Sequence, residues 1–146
     1  MKWQMPIGVD NFFDIQSKHY YFVDKTDFIR QLIDGHSAVT LITRPRRFGK
    51  TLTLSMLEYF FSIEKEVQSR RLFDGLAIDR AGADYMAHRG QYPVLFLSLK
   101  DLKDLTWPQM LQSLSSWISY WFIDHDYLAD SPSVNPDLRR RFLALK

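Results

Sequence analysis

The densest piece of chemistry in the chain is Gly49-Lys50-Thr51, the end of a basic word that reads Arg44-Pro45-Arg46-Arg47-Phe48-Gly49-Lys50-Thr51-Leu52. A glycine lets backbone come close to a ligand, a lysine supplies a mobile point charge, and a threonine hydroxyl at a helix opening can ligate Mg²⁺. At this spacing the three describe the phosphate-binding loop of nucleoside-triphosphate hydrolases. Amides from Phe48 to Thr51 would turn inward as a nest of donors, and the dipole of the following helix would add to them. Lys50 would then reach the β- and γ-phosphates, and Thr51 would hold Mg²⁺ through the nucleotide. The word departs from G-x-x-x-x-G-K-[ST] at its first position, where Arg44 replaces glycine and Pro45 pushes it towards extended backbone. Arg46 and Arg47 suit three roles: clamping phosphates, bracing an acidic neighbour or touching a partner.

Such a loop needs a strand before it and a helix after it. Residues 38–43 form a short run with little polar alternation, as expected of a strand buried on both faces of a parallel sheet. From Lys50 the period changes: Leu52, Met56 and Phe60 make one row and Leu54, Leu57 and Phe61 a neighbouring one, predicting a helix apolar over most of its circumference and sandwiched. Upstream, 19–23 suits a short strand, and 25–34 reads as a helix capped by Asp24 at its start and by a left-handed Gly35 at its end. Residues 62–90 are polar and irregular, with Leu72-Phe73-Asp74-Gly75-Leu76 docking two apolar side chains beneath a turn. Residues 94–99 form the second clear strand. Thr106 caps a helix running to about Ile123, and Asn135-Pro136 opens a last one.

Nineteen Lys and Arg against 17 Asp and Glu leave a net charge of only +2, and four of those cations are Arg44, Arg46, Arg47 and Lys50. That net charge is too small to argue by itself for a nucleic-acid or membrane partner, and the body is mildly acidic with one basic spot. The 146 residues suit a single domain, and 46% apolar composition excludes disorder as the main state. The absence of cysteine removes disulfides and thiolate chemistry and fits a cytoplasmic protein. No apolar stretch is long enough to cross a membrane.

The words also match a family. Val23-Asp24-Lys25-Thr26, then Leu41-Ile42-Thr43 running into the basic word, then Leu54-Ser55-Met56-Leu57 with Phe60-Phe61, then Leu72-Phe73-Asp74-Gly75-Leu76 and Tyr92-Pro93-Val94, strongly resemble the AAA-ATPase-like family over nearly the whole chain. Its bacterial and archaeal members commonly join an N-terminal P-loop ATPase domain to a nuclease-like domain of the PD-(D/E)-x-K superfamily. The resemblance implies that Arg44 is normal in this loop. It also implies ATP with Mg²⁺ as ligands of Arg44, Arg46, Arg47, Phe48, Gly49, Lys50, Thr51 and Leu52.

In that family the Walker B strand lies beyond the point matched by the last residues. The expectation is thus an α/β, three-layer P-loop fold with a parallel sheet, incomplete because it stops before the Walker B strand. Its parts would be an N-terminal segment (1–37), the strand, loop and helix (38–61), and a second strand with a helical region (62–146). With no Walker B acid, weak nucleotide binding and little turnover are expected. Asp101 lies past the second strand and reads as part of a solvated loop. The remaining partners would be the C-terminal remainder or an oligomeric neighbour.

Two other readings compete: a non-catalytic interaction fragment, and nucleic-acid contact through the basic loop, which lacks a stacking platform after its cations. His19, His36, His88 and His125 are too dispersed to hold a metal, and Asp124-His125-Asp126 reads as a solvated helix end. Trp107, Trp117 and Trp121, with Tyr120 and Phe122, read as core packing or as a face for the remainder rather than a membrane-surface helix.

Overall fold

The computed structural model describes residues 4–99 and 103–145. Helices dominate them: α1 (Phe12–Ser17), α2 (Asp27–Gly35), α3 (Lys50–Phe61), α4 (Glu66–Ser69), α5 (Ala77–Arg80), α6 (Ala83–Met86), α7 (Trp107–Asp124) and α8 (Pro136–Ala144). The chain divides into two compact units, Met1–Val94 and Leu95–Lys146.

The expected parallel sheet is overturned. Among the described residues the only β-pairing is two isolated parallel bridges, Gln4 with Tyr20 and Ser62 with Tyr92. Residues 38–43 form no strand and pair with no other described residue, and Val39 and Leu41 remain 84% and 83% exposed. Residues 94–99 form no ladder either, and Leu97 and Leu99 stay exposed. The strand expected at 19–23 reduces to the one bridge at Tyr20. An apolar, β-branched run shows that a segment suits the inside of a sheet; it cannot supply the neighbours on both edges that a parallel strand needs.

The first unit is instead built on aromatic packing between short helices. Its core joins Phe12 of α1, Ile29 of α2, Met56, Tyr59 and Phe60 of α3, Leu72 and Phe73 of the following turn, and Ile78 of α5. Phe12 stacks on Phe73 with ring centroids 5.0 Å apart, and Phe60 meets Phe73 edge-on at 5.1 Å. Helix α1, which periodicity did not reveal, begins where the Asn11 side chain accepts the Asp14 amide, and the Phe12 amide donates to Ser55 Oγ at 3.1 Å. That bond explains a buried serine on α3.

Helix α3 is not sandwiched: Thr53, Ser55, Met56, Tyr59 and Phe60 are buried, while Leu54 faces water. Of the neighbouring apolar row, Leu57 and Phe61 still pack against the core, and Leu54 alone is left uncovered. Helix α2 begins two residues later than expected, at Thr26 rather than Asp24, and its left-handed end is His36 (φ 44°) instead of Gly35.

Gly90 returns the chain to α3. Its amide donates to the Phe60 carbonyl at 2.8 Å, its φ is +65°, and a Cβ there would lie 2.8 Å from Glu66 Cβ. Left-handed backbone costs an ordinary residue about 1–2 kcal/mol before Glu66 is moved. Gly90→Ala is therefore expected to lower the melting temperature by roughly 5–10 °C. An unchanged thermal unfolding curve would show that the turn relaxes without cost.

In the second unit, α7 runs one residue past its expected end. Thr106 stands at its N-cap, with its hydroxyl on Gln109 Oε1 at 2.9 Å instead of on a backbone amide. Asn135 caps α8 as expected, its side chain accepting the Leu138 amide at 2.8 Å, and Phe122 packs edge-on against Phe142. Trp117 and Trp121 are half-buried, and Trp107 is exposed, so the aromatic face of α7 is only partly a core. Asp124 and Asp126 are exposed as expected of a solvated helix end, whereas His125 between them is buried, with Nδ1 2.9 Å from the Trp121 carbonyl. Asp101, with Lys100 and Leu102, lies outside the described residues.

Candidate functional site

Residues 38–45, which form no strand, a turn at 46–49 and helix α3 follow one another along the chain, so the basic word has its helix and lacks its strand. Two residues of the turn have left-handed backbone, Arg47 (φ 68°) and Gly49 (φ 72°). Gly49 is the N-cap of α3, so no side chain caps the helix. The Gly49 carbonyl accepts from both the amide and the hydroxyl of Thr53, each at 2.9 Å. The amides of Lys50, Thr51 and Leu52 fall in the first turn, where no intrahelical acceptor exists. They remain as donors at the positive end of a twelve-residue helix.

The sequence-derived residues are brought together around this turn. Lys50 folds back across it, its ammonium donating to the Arg44 carbonyl at 2.6 Å. An ammonium has three donors, so this bond leaves two for a ligand. Thr51 is exposed, and its hydroxyl engages no other described residue. Arg44, Arg46 and Arg47 are also exposed and bond no carboxylate among the described residues, whereas elsewhere Lys18, Arg30, Lys65, Arg70 and Arg139 each pair with an acid. Phe48 is 61% exposed, an unusual state for a phenylalanine, and Leu52 is half-buried on the first turn of α3.

Beside the turn lies a cleft of about 340 Å³, walled by Tyr21, Phe22, Lys25, Arg47, Phe48 and Leu52 among others. Residues 21–25 form one wall and the basic turn with α3 the other. The residues of the first wall were not identified as part of a site from the sequence. Their signal was present in the word Val23-Asp24-Lys25-Thr26 and in the aromatic run ahead of it.

That wall is pinned from behind. Asp24 Oδ1 accepts the Thr26 amide at 2.9 Å and its hydroxyl at 2.7 Å, and Oδ2 accepts the Ala77 amide at 2.7 Å. Thr26 Oγ1 in turn accepts the Ile78 amide at 3.1 Å. Partial burial alone would raise the Asp24 pKa. The hydrogen bonds from Thr26 and Ala77, with Arg80 nearby, outweigh it and hold the carboxyl below the usual carboxylate range.

Comparison with known proteins fixes the family. The family model described as Predicted AAA-ATPase matches residues 6–144. The chain belongs to the AAA-ATPase-like family. Over 108 residues this AAA-ATPase-like chain is 36% identical to a protein of Azotobacter chroococcum mcd 1 described as "Uncharacterized protein in vnfD 5'region". The match covers 70% of the chain and 19% of that relative, so the chain spans well under two thirds of the relative's length. No solved structure matches it. Among the described residues no group of three or more His, Asp or Glu side chains is placed to hold a metal, and no helix is long and apolar enough to cross a membrane.

Proposed function

We propose that the AAA-ATPase-like chain binds a nucleoside triphosphate with Mg²⁺ at the turn that opens α3. The observation that carries this is the N-terminus of α3, which no side chain caps: it opens at Lys50, whose ammonium bonds back to the Arg44 carbonyl, and it follows three exposed arginines that pair with no carboxylate among the described residues. A polyphosphate supplies the negative charge that this arrangement lacks. In this reading the loop from Arg44 to Leu52 cradles the phosphates, with Lys50 on the β- and γ-phosphates. The donor set also fits Mg²⁺: a single exposed hydroxyl, Thr51, suffices for a metal that keeps its waters and draws its other ligands from phosphate. When bound, the metal would screen the charge of the phosphates. Adenine, rather than another base, follows from the family. The walls of the cleft carry no carboxylate, so the residues here account for binding and assign no group to activating water.

Calorimetric titration with ATP, with and without Mg²⁺, tests the reading. The intact chain is expected to bind ATP more tightly with Mg²⁺, and Lys50→Ala is expected to weaken binding by about tenfold to a hundredfold, the worth of one or two charge-assisted hydrogen bonds. Lys50 is exposed and its one bond is to a loop carbonyl, so the variant should fold. Binding that is indifferent to Lys50 would refute the assignment.

A further inference from the structure

Lys25 lines the cleft beside the basic turn, and both its neighbours in the chain are tied down elsewhere. Asp24 is held by Thr26 and Ala77, and Thr26 is fully buried with its hydroxyl bonded on both sides. The backbone is fixed as well: the carbonyls of Lys25 and Thr26 accept the amides of Phe28 and Ile29 at 3.1 and 2.9 Å. Between these two fixed residues the Lys25 side chain lines the cleft, with Arg47 and Gly49 of the basic turn on the other wall. Lys25 meets no carboxylate among the described residues, and no acid lines the cleft at all. The other lining side chains are apolar or aromatic, apart from Thr53, whose hydroxyl is committed to the Gly49 carbonyl. Two like charges on residues that line one largely apolar cleft repel each other and concentrate positive potential there. An anion relieves both effects.

We propose that Lys25 is a second phosphate-binding cation, contacting the phosphate chain of a nucleotide seated on the basic turn, while Tyr21 and Phe22 provide the apolar surface for its base. The proposal rests on the nucleotide reading of the turn. It gives Asp24 and Thr26 the task of holding Lys25 at the cleft, a role that the helix-capping reading of Asp24 did not contain.

The full chain and its Lys25→Ala, Lys25→Arg, Tyr21→Ala and Lys50→Ala variants are titrated with Mg-ATP and with inorganic tripolyphosphate. Lys25→Ala is expected to weaken both ligands about tenfold, to flatten the salt dependence of binding, and to leave the melting temperature unchanged. Lys25→Arg should recover most of the loss. Tyr21→Ala should weaken ATP and spare tripolyphosphate, because only ATP carries a base. If Lys25→Ala binds both ligands like the intact chain while Lys50→Ala does not, the Lys25 proposal is overturned and the nucleotide reading stands. A loss that arginine does not restore, or that accompanies a lowered melting temperature, assigns Lys25 a structural role and also overturns it. If the intact chain binds neither ligand, both readings fall.

Discussion

Phe73→Ala is expected to remove about 3–5 kcal/mol from the stability of the first unit, the cost of truncating a buried aromatic whose space cannot be refilled. Phe73 is fully buried, stacked on Phe12 and met edge-on by Phe60, so one ring joins α1, the turn before α5, and α3. Those elements have no sheet to hold them in common. Domains of this size are stable by roughly 5–15 kcal/mol in total, so the loss is a large share of what is available. Urea unfolding followed by far-ultraviolet circular dichroism should show a midpoint shifted sharply downward. Phe73→Leu, which keeps most of the volume, should cost clearly less. Equal midpoints for wild type and Phe73→Ala would mean that the aromatic cluster is not what holds the unit together.

The aromatic cluster also shows which parts of the fold could be read from the sequence. Phe60 and Met56 announced themselves by helical spacing, and Leu72 with Phe73 by a buried pair in a polar stretch. Phe12 did not, because α1 has six residues and too few turns to display a period; its start depends on one side-chain cap at Asn11. The failure at 38–43 and 94–99 is of another kind. Their composition reports that they are apolar, and sheet formation depends on partners far away in the chain, which composition does not specify.

The start of α3 was legible for the opposite reason: Gly49, Lys50 and Thr51 are neighbours in the chain, Gly49 is the N-cap, and Lys50 bonds back to the Arg44 carbonyl, all of it local. What stayed hidden was the facing wall, since nothing in the spacing of Tyr21, Phe22 and Lys25 shows that they come back to lie beside residue 47.

The clasp behind that wall carries the other large effect. Thr26→Val keeps the shape of a fully buried side chain and deletes one hydroxyl, which leaves the buried Ile78 amide without its acceptor and Asp24 without one of its two 2.7 Å bonds. An orphaned buried amide costs about 1–3 kcal/mol, and the lost hydroxyl donor adds to it. Asp24→Asn should be milder at neutral pH, because an amide oxygen can still accept from Thr26 or Ala77. Its signature is the pH dependence.

The native Asp24 carboxyl titrates below its unfolded value of about 3.9. Its contribution is therefore complete above that value and is lost as the pH falls through the native pKa. The gap between wild type and Asp24→Asn should accordingly be constant from pH 7 down to about 5 and shrink as the pH drops below about 4. Thermal unfolding of the two proteins from pH 7 to pH 2 measures it. A gap that persists unchanged at pH 2 would show that the charge of Asp24 contributes nothing. Since the same clasp fixes residues 21–25, Thr26→Val should also weaken nucleotide binding at temperatures where the variant is still folded, linking the stability of α5 to the shape of the cleft.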